Sequence, residues 1–460
     1  MNLQVLRRIL YFGAFLASGL CTNVCLAQGA PLFKYSSSEQ AESLSENAKK
    51  SLAEIRPRTD SSNSIYLIEP DPNALLNTIL RFTLPDGSVL VLTKSPKSLT
   101  GPNYWNGTTE LGLEVTFTSD GKSLVGAVRH EGRIYSITPL PNGAHVLEVR
   151  RLGLRNKISH SLQKGPKLSA AALSRPATRL TNSVTTQASS VPNVDILVVH
   201  YFTFVQRVTA QGMINQLNQS FANSGISATA NLVGFEQVPL APTINLDADL
   251  VALRYSQQVA NLRNSVNADL VILLTRISQP STTSYDCGVA GTTLDEFNSF
   301  AIVEESCIEE VFAFNHEVGH MAGILHQNDN PSSGDNHGYI FFQPKANPLP
   351  LERNGYCWAT IVTQVFGDDC YRPGRTFDAT TTINYWSTPS KIFGAVNSPK
   401  VPMGEAGTSN EARVIAQNWP IIAHYRMSPT DPPAPGNIPT INFKLRTAVE
   451  VIKNNDFIEP

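Results

Sequence analysis

Residues 315–327, NHEVGHMAGILHQ, constrain the fold of this chain more than any other stretch. His316 and His320 stand four apart, so on a helix their imidazoles leave one face about a turn from each other. That spacing suits two corners of a zinc tetrahedron. Gly323 falls where such a helix must stop, because glycine accepts the left-handed backbone that turns the chain sharply. His326 then returns as a third ligand. Three protein ligands with a fourth position left open are what a catalytic zinc site needs. Glu317 reaches the same space without ligating and suits the role of general base toward a water whose pKa the metal has lowered. The plain alternative is an amphipathic helix with chance histidines, but five fixed positions make such agreement rarer than about one in a million sites.

A helix of this kind needs a sheet to pack on, and the preceding segment supplies one. VDILVVHYF (194–202), SATANLVGFEQV (227–238) and ADLVILLTR (268–276) read as strands, and FNSFAIVEES (297–306) as a further strand at a sheet edge. Between them FVQRVTAQGMINQLNQSFANSGI and LDADLVALRYSQQVANLRNSV carry helical spacing. The order predicts an α/β (α+β) domain over 192–427, with a mixed, partly parallel sheet leading into the histidine helix.

The N-terminal half reads differently. Arg7 and Arg8 precede an apolar run from Ile9 to Leu20, with a small-residue cleavage site after Ala27, so residues 1–27 read as a Sec-type signal peptide. The run is short for a membrane span, and no stable anchor is expected. SSSEQAESLSENAKKSLAEI (36–55) reads as a polar helix. Asp-Gly and Asn-Gly pairs between alternating apolar residues then signal hairpins, giving a small β-rich module over 28–151. Residues 152–191 turn rich in Ser, Thr and Ala and read as a flexible, protease-sensitive linker. Residues 428–460 read as a proline-rich break with a tail.

An exported chain with Cys287, Cys307, Cys357 and Cys370 outside its signal predicts two disulfides. Three connectivities exist; Cys287–Cys307 with Cys357–Cys370 closes the shortest loops and is the expected pairing. A formal net charge of −2 with scattered basic residues speaks against nucleic acid as a partner.

HExxHxxGxxH, here His316, Glu317, His320, Gly323 and His326, is the motif of the metzincin zinc peptidases, and the chain resembles them. With VDILVVHYF, NSGISATANLVGF, ADLVILL, CGVA and INYWSTP, the resemblance covers about 192–427 and is nearest to the secreted bacterial reprolysin-like branch, the peptidyl-Asp metalloendopeptidases in particular. It implies a monomeric secreted endopeptidase with one catalytic Zn2+, acting on protein or peptide substrates, with a preference for sites beside Asp, by way of Glu317. It also implies a two-part domain whose N-terminal half offers a sheet edge to extended substrate, and a β-rich propeptide that keeps the enzyme latent.

Three departures stand out. Metzincins carry a methionine in a turn beneath the zinc, where CWATIVTQ has Val362; RTFDATTT, with Asp378, is a weaker match, and Met403 comes too late. Reprolysin-like proteins carry Asp after the third histidine, where this chain has Gln327. The β-rich module has no cysteine, so a thiolate cannot cap the metal; His130, His145 and His160 are the imidazoles available. His337 is expected in a structural or rim position, and Tyr339 and Tyr385 as half-buried aromatics. A zinc-stabilised binding protein without catalysis is the alternative those losses would favour, but it gives Glu317 no task. A non-proteolytic zinc hydrolase is disfavoured by the full motif. A structural Ca2+ has no reading either way.

Overall fold

The computed structural model describes residues 29–426 apart from 38–43, 56–63, 97–98, 100, 152–156, 164–190, 203–204, 242, 244, 277–283, 293, 328, 330–333, 346–352, 365–369, 371–372, 378–379 and 395–397. The described residues belong to one compact unit. The expected signal peptide, most of the expected linker, Asp378 and the tail lie outside them.

Turn chemistry builds the N-terminal module. Ten strands, β1 (Ala30–Pro31), β2 (Phe33–Tyr35), β3 (Ser64–Pro70), β4 (Ile79–Thr83), β5 (Val89–Lys94), β6 (Tyr104–Thr108), β7 (Glu114–Ser119), β8 (Leu124–His130), β9 (Arg133–Pro139) and β10 (His145–Arg151), make one sheet. Gly87 and Gly121 take positive φ in the β4–β5 and β7–β8 turns, as the Asp-Gly pairs require. β1 pairs with β4 and β2 with β3, while only Leu32 separates β1 from β2. The two ends of the sheet order therefore meet, and the sheet wraps one core that includes Leu32, Phe82, Trp105, Phe117 and Leu147, all fully buried. Helix α1 (Glu46–Ile55) forms the second half of the polar helix expected over 36–55, and the Ser45 hydroxyl accepts from the Ala48 N–H at its start.

His145 belongs to this core rather than to any metal. Its Nε2 accepts from the Leu124 N–H at 3.0 Å, and its Nδ1 donates to the Gly143 carbonyl at 2.9 Å. Burial pushes its pKa down to about 4. The unfolded chain binds this proton below pH 6.5 and the folded chain only near 4, so stability is lost as pH falls through that window. Urea melts of the intact chain should therefore show a drop between pH 7 and 4.5, on the order of 2 kcal/mol, that His145→Gln flattens.

The second half is an α/β layer. β11 (Lys157–Gln163), β12 (Asn193–His200), β13 (Thr229–Gln237), β14 (Leu270–Thr275), β15 (Ser284–Gly291) and β16 (Phe300–Glu304) lie in the order β11-β15-β16-β14-β12-β13. All pairs are parallel except β15 with β16. The near-continuous apolar runs of β12 and β14 follow from coverage on both faces. Ile196, Val198, Leu270, Ile272 and Leu274 point to one side, under α2 (Arg207–Ser224). Leu197, Val199, Val271 and Leu273 point to the other, under α3 (Leu246–Tyr255) and α4 (Gln257–Val266). The strand expected at an edge, β16, is interior and buried at every residue. The edges of this sheet are β13 and β11, and β11 lies within the segment expected to be linker and pairs in parallel with β15.

After β16 the short helix α5 (Ile308–Val311) passes through Phe312, at φ 55°, into α6 (Ala313–Met321), which carries the histidines. Two small sheets follow, β17 (Ile340–Pro344), β18 (Gly355–Ala359) and β19 (Thr380–Thr382), then β20 (Thr388–Phe393) with β21 (Val401–Met403). Helix α7 (Glu411–Ile422) closes the unit. Met403 lies in an aromatic cluster with Phe341, Trp358 and Phe393. The disulfides join Cys287 to Cys307 and Cys357 to Cys370. Among the described residues, no helix is long and apolar enough to cross a membrane.

The β-module docks on the layer through side chains that no periodicity announces. Tyr104 donates to Gln219 at 3.1 Å, Asn215 to Thr118 at 2.9 Å and Ser123 to Gln206 at 2.9 Å. Arg129 donates to the carbonyls of Glu309 and Thr382 and lies 4.4 Å over the Phe312 ring. The module thus grips the residue from which the histidine helix starts.

Candidate metal centre

Helix α6 is buried along its whole length, which is unusual for a helix holding two histidines and a glutamate. His316 and His320 leave one face, and Gly323, at φ 87°, turns the chain so that His326 meets them. The bend is held by Asn418 donating to the Ala322 carbonyl at 2.8 Å and Asn336 donating to that of Gly323 at 2.9 Å. The three Nε2 atoms stand 3.0, 3.1 and 3.2 Å apart. Ligands on a tetrahedral zinc stand about 3.3 Å apart.

The other ring nitrogens explain the convergence. His316 Nδ1 donates to the Ile361 carbonyl at 2.9 Å, His320 Nδ1 to the Ile324 carbonyl at 2.8 Å, and His326 Nδ1 pairs with Asp329 Oδ2 at 2.9 Å. Protons held on Nδ1 leave the Nε2 lone pairs facing one another, an arrangement that only a cation makes favourable. The donor set therefore fits a divalent metal that prefers imidazole. Among the described residues, these three form the group of His, Cys, Asp or Glu side chains placed to share an ion.

Glu317 is fully buried against β15, with its carboxyl end beside Gly288. Val362 lies under the helix: a Cβ on Gly319 would stand 2.5 Å from Val362 Cγ2 and 2.8 Å from the Trp386 ring. A branched side chain fits that floor because Gly319 and Trp386 leave little depth. Glu411 lies buried nearby, its carboxylate accepting from the Ser387 N–H. Burial pushes its carboxyl up to about 7.

Gln327 does not face the histidines. Its amide donates to the Gln364 carbonyl at 2.6 Å and accepts from the Gln364 N–H at 2.9 Å, so it stitches the third-histidine loop to the Val362 turn. The carboxylate that orients His326 comes instead from Asp329, and the bond from His326 holds that carboxyl below its usual range. His337 is buried outside the cluster, with ring nitrogens on the carbonyls of Thr408, Gly334 and Asp329. Tyr339 stacks on Phe341, and the Tyr385 phenol is raised by burial and by Glu114 of the β-module. Three carbonyl, carboxylate and glycine contacts escaped sequence reading: Ile361, Asp329 and Gly288. Only Asp329, an acid three residues past the last histidine, left a readable trace.

Over 328 residues the chain is 27% identical to a peptidyl-Asp metalloendopeptidase of Xanthomonas campestris, covering 66% of this chain and 68% of that protein. Over 366 residues it is 26% identical to a peptidyl-Asp metalloendopeptidase of Stenotrophomonas maltophilia, covering 75% and 78%. The chain is a homologue of the peptidyl-Asp metalloendopeptidases. A mouse protein, a disintegrin and metalloproteinase with thrombospondin motifs 4, is 25% identical over 279 residues, covering 55% of this chain and 33% of that one, which fits the reprolysin side of the metzincins. No family model matches the chain. As a homologue of peptidyl-Asp metalloendopeptidases it is a metallopeptidase-type hydrolase, and its histidine cluster is the part of the fold suited to a metal.

In this setting Asp329 has a measurable task. Asp329→Ala should weaken metal binding about 10- to 100-fold while leaving the fold intact, because it frees the His326 ring to turn. Competition with a zinc-responsive dye would read the change.

Proposed function

We propose that this chain is an exported zinc endopeptidase, made as a latent proprotein, in which Glu317 is the general base. The observation that carries the reading is the convergence of three Nε2 atoms beside a fully buried glutamate. His316, His320 and His326 would hold one Zn2+, which when bound supplies the Lewis acidity that polarises a peptide carbonyl and acidifies water. Glu317 takes the proton from the attacking water and passes it to the departing amine. Cys287–Cys307 and Cys357–Cys370 brace the two flanks of the site and suit an oxidising compartment. Gly323 and Val362 shape the turn and the floor.

Cleavage beside Asp is proposed from the name of the relatives. The β-module is the propeptide in this reading, the activating cut falls in the expected linker, residues 152–191, and no second subunit is needed. Support for latency comes from β11, whose backbone takes the free side of β15, where an extended peptide would otherwise add a strand. A non-catalytic zinc-stabilised protein gains nothing here, since Val362 fills its floor and Asp329 replaces the missing carboxylate. The test is metal analysis of wild type and His320→Ala alongside chelator-sensitive hydrolysis of denatured protein. One zinc per chain in wild type only, with hydrolysis that stops on chelation, is expected; equal zinc in both would defeat the assignment.

A further inference from the structure

Gly288 lies in β15, one residue after Cys287. A Cβ built there would stand 2.5 Å from Glu317 Oε1 and 2.8 Å from its Cδ and Cγ, closer than real Cβ contacts come. The surroundings remove the slack that might absorb such a clash. Beside Gly288, β15 is paired to β16 through Gly288↔Val303, Val289↔Ile302 and Ala290↔Ala301. The Cys287–Cys307 bond ties the same point to the turn that leads into α5 and α6. On the far side, Gly319 lets α6 sit directly on Val362 and Trp386. The metal helix is thus held between two walls with a glycine at each contact.

We infer that Gly288 is the positioning residue for the Glu317 carboxylate: its missing side chain is the seat in which that carboxylate is held. The inference rests on the proposed role of Glu317 as base. The three nearest atoms to a methyl group at 288 all belong to the Glu317 side chain and none to backbone. A methyl there therefore moves the carboxylate by rotation about its own bonds and leaves strand and helix in place. The three histidines, with Nδ1 partners at Ile361, Ile324 and Asp329, are not touched by that rotation. Geometry of the base is lost while the ligand set is kept.

The experiment uses the full chain, cut in its expected linker and loaded with zinc, or with Co2+ for spectroscopy. Gly288→Ala is expected to keep one metal per chain, the Co2+ absorption spectrum and the wild-type Tm to within a few degrees. Its kcat should fall about a hundredfold with little change in KM, as a displacement near 1 Å produces. In the Glu317→Ala background, which removes all three atoms that the new methyl meets, Gly288→Ala should lower the residual rate less than about tenfold. Wild-type kcat in Gly288→Ala would overturn the inference. So would loss of metal, or an equal loss in both backgrounds, since either means that the strand itself is distorted. An inactive wild type would instead overturn the proposed function and this inference with it.

Discussion

Glu317→Ala is expected to keep one zinc per chain and to lose peptide hydrolysis by about 10³- to 10⁴-fold, the range for removing a general base. The two halves of this result have separate structural causes. Metal retention follows because each histidine is oriented by its own oxygen acceptor, at Ile361, Ile324 and Asp329, and none depends on Glu317. Loss of rate follows because Glu317 is the one carboxylate of helix α6, it is fully buried, and Gly288 fixes where its oxygens lie. Metal analysis and kcat/KM on one peptide check both halves. Retained hydrolysis would show that another group moves the proton, and lost metal would make Glu317 a structural residue.

The second large effect concerns latency. Chain cut within 164–190 and freed of everything before the cut should hydrolyse peptide about a hundredfold faster than intact chain, if β11 holds the sheet edge about 99% of the time. Cutting alone should release less. The module still grips α2 through Tyr104, Thr118 and Ser123, and the start of α6 through Arg129. Cut protein should therefore gain activity on dilution, and Arg129→Ala should shift that gain to higher protein concentration. Rates for intact, cut and separated protein, compared at several concentrations, check this. Equal rates for intact and separated chain would remove any inhibitory role from β11 and the module.

What could be read from residues alone divides by the kind of interaction. His316, His320, Gly323 and His326 were legible because helical spacing and one positive φ are local properties. The apolar runs of β12 and β14 announced buried strands, and the Asp-Gly turns announced hairpins. β16 was misplaced at an edge because its position depends on which strands pair with it, and pairing partners leave no mark in a single strand. β11 was hidden in a Ser- and Lys-containing segment whose strand exists only through its pairing with β15. Gln327 and Val362 looked like losses. Both proved to sit in contacts of their own, Gln327 on the Gln364 backbone and Val362 against Gly319. Those contacts join residues dozens of positions apart, and no spacing rule reaches them.

The central claim is that the histidine cluster and Glu317 together cut peptide bonds. A mass-spectrometric cleavage profile of the zinc-loaded, linker-cut chain on a peptide library tests it most directly. Internal cleavage at a restricted set of bonds, enriched beside Asp and abolished by chelation and by Glu317→Ala, is the predicted result. A chain that carries one zinc yet cuts no peptide in the library would contradict it.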